Sequence, residues 1–107
     1  MPAWRVAVKE SVIRDLRALG RRAGRLVLKA ATARLQADPL AETRHLRTLR
    51  PNSVAERELR LFGRYRVLFN VHRQQRQVTI VLVGEKRGET LIVQGRRFTE
   101  HESHPAE

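Results

Sequence analysis

The spacing of apolar residues changes period along the chain, and each change marks an element. Trp4, Val6 and Val8 alternate with Arg5, Ala7 and Lys9, the period-two pattern of a short strand. From Ser11, a residue type that caps helices, the spacing lengthens. Val12, Ile13, Leu16 and Leu19 then share one side of a helix over residues 11–19. Gly20 and Gly24 bracket a break. A second helix over 24–37 carries Leu28, Ala31 and Leu35 on one stripe, and Asp38-Pro39 ends it. Residues 40–55 give a weaker signal, in which Leu46 and Leu49 suit a turn of helix and Pro51-Asn52 marks a loop.

Period two returns over residues 58–71. Leu59 and Leu61 alternate with Glu58 and Arg60; Tyr65, Val67, Phe69 and Val71 alternate with Arg66, Leu68, Asn70 and His72. A hairpin loop of Phe62-Gly63-Arg64, with Gly63 free to take a positive φ, pairs Leu61 with Tyr65, Arg60 with Arg66 and Leu59 with Val67. A two-residue loop would set Arg60 against Val67 and mix the faces of a half-buried sheet. Residues 78–83 are apolar on both faces, as in an interior strand. Residues 84–88 turn the chain, and a last short strand over Thr90–Val93 is followed by Gln94-Gly95 and a return through Arg97-Phe98-Thr99. The order β-α-α-β-β-β describes an α+β fold: two N-terminal helices packed on one face of a mostly antiparallel sheet, with the other face partly open. One domain is expected over residues 1–99, with a flexible tail over 100–107.

Charge narrows the function. A chain of 107 residues with a formal charge of +11 is strongly basic, and its cations run from Arg5 to Arg97, so the folded body itself is cationic. Nucleic acid is the leading partner and an acidic protein segment the second. The absence of cysteine excludes disulfides and thiolate metal sites and fits a reducing cytoplasm. No apolar run approaches the roughly 20 residues of a membrane span, and the first residues lack the apolar stretch of a signal peptide. A cytoplasmic protein without a membrane partner is expected.

The hairpin carries the most specific chemistry. Its register sets Arg60 and Arg66 abreast with Cβ atoms roughly 5 Å apart, and like charges so placed repel. An anion between them resolves the repulsion, and the planar, five-donor guanidinium suits phosphate. Glu58, on the same strand face, offers a counter-charge. Lys86 and Arg87, after the interior strand, would join Arg60 and Arg66 in a three-point cationic cleft if that strand neighbours the hairpin. Other strings are weaker. His101-Glu102-Ser103-His104 is one residue short of a zincin motif and lacks a third ligand, so no metal is expected. Glu42 and His45 read as a surface pair. Gly20-Arg21-Arg22-Ala23-Gly24 lacks the lysine and preceding strand of a phosphate-binding loop. His72 lies about 20 Å along the strand from Arg66.

The order of elements, with Gly63-Arg64-Tyr65-Arg66-Val67 and the Val83-Gly84 pair followed by a basic turn, resembles the RelE/ParE superfamily of type II toxin–antitoxin toxins over about residues 4–98. For RelE-type members the resemblance implies metal-independent, ribosome-dependent cleavage of messenger RNA, in which the 2′-hydroxyl attacks the adjacent phosphate and basic side chains stabilise the developing charge. By the same resemblance Arg66 contacts the scissile phosphate. Arg60 and Lys86 or Arg87 take the other basic catalytic positions, and Arg57 and Arg64 contact RNA. The tyrosine or histidine that such nucleases place downstream is replaced here by Thr90-Leu91-Ile92-Val93, leaving Glu58 as the possible base. The resemblance implies no cofactor, and a cognate antitoxin whose acidic amphipathic segment covers the cationic surface. A ParE-like poison of DNA gyrase and a non-catalytic RNA- or antitoxin-binding module are the alternatives.

Overall fold

The structure is a computed structural model and describes residues 3–99. In chain order the elements are β1 (Arg5–Val8), α1 (Glu10–Ala18), α2 (Arg21–Ala37), β2 (Leu46–Thr48), β3 (Arg57–Leu61), β4 (Tyr65–His72), β5 (Gln77–Arg87), β6 (Thr90–Val93) and β7 (Arg96–Arg97). The expected α+β layout holds. The strands form one sheet in the order β2-β3-β4-β5-β6-β7, antiparallel throughout, with β1 added parallel to β5. The string around His101 and the expected tail lie outside the described residues.

The main core lies between the helices and one sheet face. Val12, Val27, Ala31 and Leu35 meet Leu46, Leu59, Val67, Phe69, Val78 and Ile80, all essentially inaccessible to solvent. Each large side chain so buried contributes roughly 1.5–3 kcal/mol. Exposed ion pairs contribute about 0–1 kcal/mol, so this layer sets stability and leaves the surface charges free for other work.

Three local readings change. Helix α1 starts at Glu10 after Lys9 rather than at Ser11, because the Lys9 N–H is still bonded to the Ile80 carbonyl (2.9 Å) at the end of β1. Helix α2 starts at Arg21, and Gly24 is a buried interior residue of it. A Cβ there would come within 2.7 Å of the Leu16 carbonyl oxygen, so Gly24 lets the two helices approach instead of separating them. Leu46 belongs to strand β2, not to a helical turn: it pairs with Leu59 and turns its side chain into the core.

Strand β5 also runs through the expected turn to Arg87. The β4–β5 register shifts between Leu68, opposite Leu82, and Phe69, opposite Ile80, leaving Val81 as an extra residue. Such a bulge re-aims everything beyond it. Val78, Ile80 and Val83 consequently face the helices while Leu82 faces away. That accounts for a strand apolar on both sides and sets Gly84 opposite Arg66.

The middle of β5 has no neighbouring strand on one side, because β1 reaches only Ile80 and β6 begins at Glu85. Asp15, buried in α1, fills the gap. Its Oδ2 accepts the Val83 N–H (3.0 Å), and its Oδ1 accepts Nε2 of Gln94 (2.7 Å).

Candidate functional site

The hairpin has the expected register: Leu61 opposite Tyr65, Arg60 opposite Arg66 and Leu59 opposite Val67. The turn takes positive φ at Phe62 as well as Gly63, and the Arg64 N–H closes it on the Leu61 carbonyl (3.0 Å). Strand parity then sorts the charges. Glu58, Arg60 and Arg66 stand on the face away from the helices, and β2 adds Arg47 directly opposite Glu58.

These four side chains form one cluster. Oε1 of Glu58 accepts Nε of Arg47 (3.2 Å) and Nε of Arg60 (3.3 Å). Arg66 donates Nη1 to its neighbour's carbonyl, Tyr65 O (3.1 Å), and has no ion-pair partner among the described residues. Partial burial holds the Arg66 guanidinium below the ordinary arginine range; Arg60 and then Arg47 push it the same way, and Glu58 only partly opposes them. Three guanidiniums around one carboxylate leave an unneutralised excess, centred on the one with no carboxylate. That geometry favours an anion with several acceptor oxygens.

The other expected residues divide between the faces. Lys86 follows Gly84 on the open face, with its N–H bonded to the Arg64 carbonyl (2.8 Å). Arg87 has the opposite parity, next to Glu85, whose Oε1 it meets at 3.2 Å. Arg64 also turns to Glu85, and its guanidinium lies 5.5 Å from the Tyr65 ring centre. Both arginines depress the Glu85 carboxyl, Arg64 more than Arg87. Arg57 does not fit RNA contact. It shares parity with Leu59 and Leu61, is 3% exposed, and its Nη2 meets the Ala41 carbonyl and Glu42 (3.2 Å) beneath the sheet. The alternation around Leu59 already put it on the apolar face.

Arg47 is not evident from the sequence, where Leu46 and Leu49 suit a turn of helix. A three-residue edge strand with one buried leucine leaves almost no periodic signal. His72, on the open face, bonds Oγ1 of Thr79 through Nε2 (3.1 Å), far along β4 from Arg66. Leu91 and Val93 occupy the open face of β6 and close on Gly84, so that segment offers no acid or base. Among the described residues there is no group of three potential metal ligands and no helix long and apolar enough to cross a membrane.

No family model and no curated protein matches this chain. Among solved structures it is similar to a chain of the toxin–antitoxin complex RelBE2 from Mycobacterium tuberculosis, at 27% identity and a TM-score of 0.69, over 80% of this chain and 94% of that one. The two-helix layer on an antiparallel sheet is the shared architecture. The fold is that of the RelE-type neighbour, and the similarity, with the hairpin, supports a RelE-like toxin.

Proposed function

We propose that this protein is the toxin of a type II toxin–antitoxin pair and arrests translation by metal-independent cleavage of messenger RNA in the ribosome. The observation that carries this reading is the Arg60–Arg66 pair, held abreast on the open face beside Arg47 with a single carboxylate among them. In the proposed reaction a ribose 2′-oxygen attacks the adjacent phosphorus and the bond to the 5′-oxygen breaks. The 2′-hydroxyl gives up its proton to water, and the products are a 2′,3′-cyclic phosphate and a 5′-hydroxyl, the latter taking its proton from water. The extra charge on the non-bridging oxygens falls between Arg66 and Arg60, with Lys86 on the same face. Preorganised donors of this kind are each worth roughly 10²–10³ in rate. Glu58 holds Arg47 and Arg60 in place, and the ribosome supplies the orientation of the 2′-hydroxyl.

The same reading includes an antitoxin. Ile13, Leu16 and Leu28 line an apolar groove between α1 and α2 whose rim is Arg17, Arg21 and Arg25. An amphipathic helix with an acidic border matches both its floor and its rim.

Pulse labelling after induction tests the target. Protein synthesis is expected to fall before DNA synthesis, and Arg66→Ala is expected to abolish the arrest in a folded protein. DNA synthesis falling first would instead support a gyrase poison.

A further inference from the structure

The open face carries an apolar shelf that phosphate chemistry does not use. Leu68 and Leu82, opposite each other in β4 and β5, are buried on the side of the sheet away from the helices. Leu49, Val54 and Ala55 cover them from one side, and Leu91, Val93 and Phe98 from the other. Here lies a cleft of about 490 Å³ whose lining includes Leu49, Val54, Leu68, half-buried Phe98, Arg47 and Arg50.

Two observations fit this cleft to a ligand. Its wall is built in advance. Asn52 accepts the N–H groups of Val54 (2.7 Å) and Ala55 (2.9 Å) on Oδ1 and donates Nδ2 to the carbonyls of Arg50 (2.6 Å) and Ala55 (3.0 Å). That side chain fixes the loop and is fully engaged doing so. The cleft is also continuous with the charge cluster. Arg47 lines it while bonded to Glu58, and Leu68 lies two residues from Arg66 on the same strand face, about 7 Å away. An apolar floor, an aromatic ring and guanidinium planes within one nucleotide's reach of a phosphate site are what an unpaired base requires.

We propose that this cleft is a nucleobase subsite. It takes, by stacking against Phe98 and the flanking guanidiniums, the unpaired base of the nucleotide adjoining the phosphate held by Arg60 and Arg66. The inference rests on the RNA reading given above and adds a place for the base. Since Asn52 has no free donor or acceptor, the subsite senses that a base is present more than which base it is.

The test uses uncleavable 2′-O-methyl RNA hexanucleotides, one intact and the others each with a single abasic residue, titrated by fluorescence anisotropy across a salt series. With the wild-type chain, removing the base at one position is expected to weaken binding roughly 5- to 150-fold without changing the salt slope. Phe98→Ala is expected to erase that difference and Phe98→Trp to restore it. Arg50→Ala, at an exposed position, is expected to reduce it with the fold intact. Equal binding of every oligonucleotide with the salt slope retained overturns the subsite alone, whether a second copy or another segment of the chain fills the cleft. Discrimination that survives Phe98→Ala also overturns it. Failure to bind any of the oligonucleotides overturns the subsite alone, because cleavage on the ribosome is tested separately by the pulse labelling.

Discussion

Gly84 is the cross-strand partner of Arg66, so the arginine that carries the excess charge has another arginine on one side and no side chain on the other. The glycine is needed for space. A Cβ there would lie 2.7 Å from the Ile92 carbonyl oxygen and 2.9 Å from Cγ2 of Val93, and backbone cannot give way as a flexible side chain does. Gly84→Ala is expected to push β6 from β5 and to cost about 1–3 kcal/mol. Urea unfolding checks it: the midpoint should fall with the slope unchanged.

Arg60 and Arg66 together make a site that works against the fold. Like charges directly opposite on neighbouring strands are destabilising by a few tenths to about 1 kcal/mol. Arg66→Ala is therefore expected to leave thermal stability equal or slightly raised while growth arrest disappears. A melting scan beside a plating assay reads both. Loss of arrest together with a large drop in melting temperature would show a structural role only.

Much of this arrangement is legible in the sequence. Strict alternation around Leu59 and Val67 fixes which hairpin residues share a face, and Gly63 limits the loop, so the Arg60–Arg66 pairing follows from sequence alone. What escaped has definite causes. Strand β2 is too short to show a period, which hid Arg47. The bulge at Val81 shifts parity within β5, so which of Lys86 and Arg87 reaches the open face is not readable from residue types. Gly24 has the same letter as a helix breaker, and only the packing of Leu16 against it shows that it is a contact.

Glu58 binds two guanidiniums through one oxygen, and replacing it by glutamine separates charge from geometry. Glu58→Gln keeps an acceptor oxygen for Arg47 and Arg60 but raises the local charge by one. Single-stranded RNA is expected to bind more tightly at low salt, with a steeper dependence on salt concentration. Weaker binding in a salt titration would mean that orientation outweighs charge.

Asp15 ties α1 to the uncovered middle of β5. Truncation to alanine leaves the buried Val83 N–H without its acceptor, a penalty of about 1–3 kcal/mol. Asp15→Asn still accepts that N–H, and the Gln94 amide can rotate to present its oxygen to the new NH₂. The asparagine variant is therefore expected to retain most of the stability that alanine loses. Hydrogen exchange at Val83 measures this directly, with protection kept in one and lost in the other.

Acid should loosen the hairpin end before the core. The Glu85 carboxyl lies below its ordinary value of 4.5, chiefly through its bond to Arg64, then Arg87, against an opposing effect of burial. Glu56 is also lowered: burial pushes it up, but Arg73, the Val71 N–H and Arg57 outweigh that. A carboxylate depressed in the folded state adds stability that is complete above its unfolded value. That stability is lost as pH falls below about 4.5 and through the lower folded value. Arg64 and Arg87 are both largely exposed, so screening keeps the Glu85 contribution to roughly 1 kcal/mol or less. Between pH 7 and 3 the wild-type melting temperature is expected to drop more than that of Glu85→Gln, the two curves converging at the acid end. Added salt should narrow the gap at neutral pH. Parallel curves from pH 7 to 3 would remove Glu85 as a source of acid sensitivity.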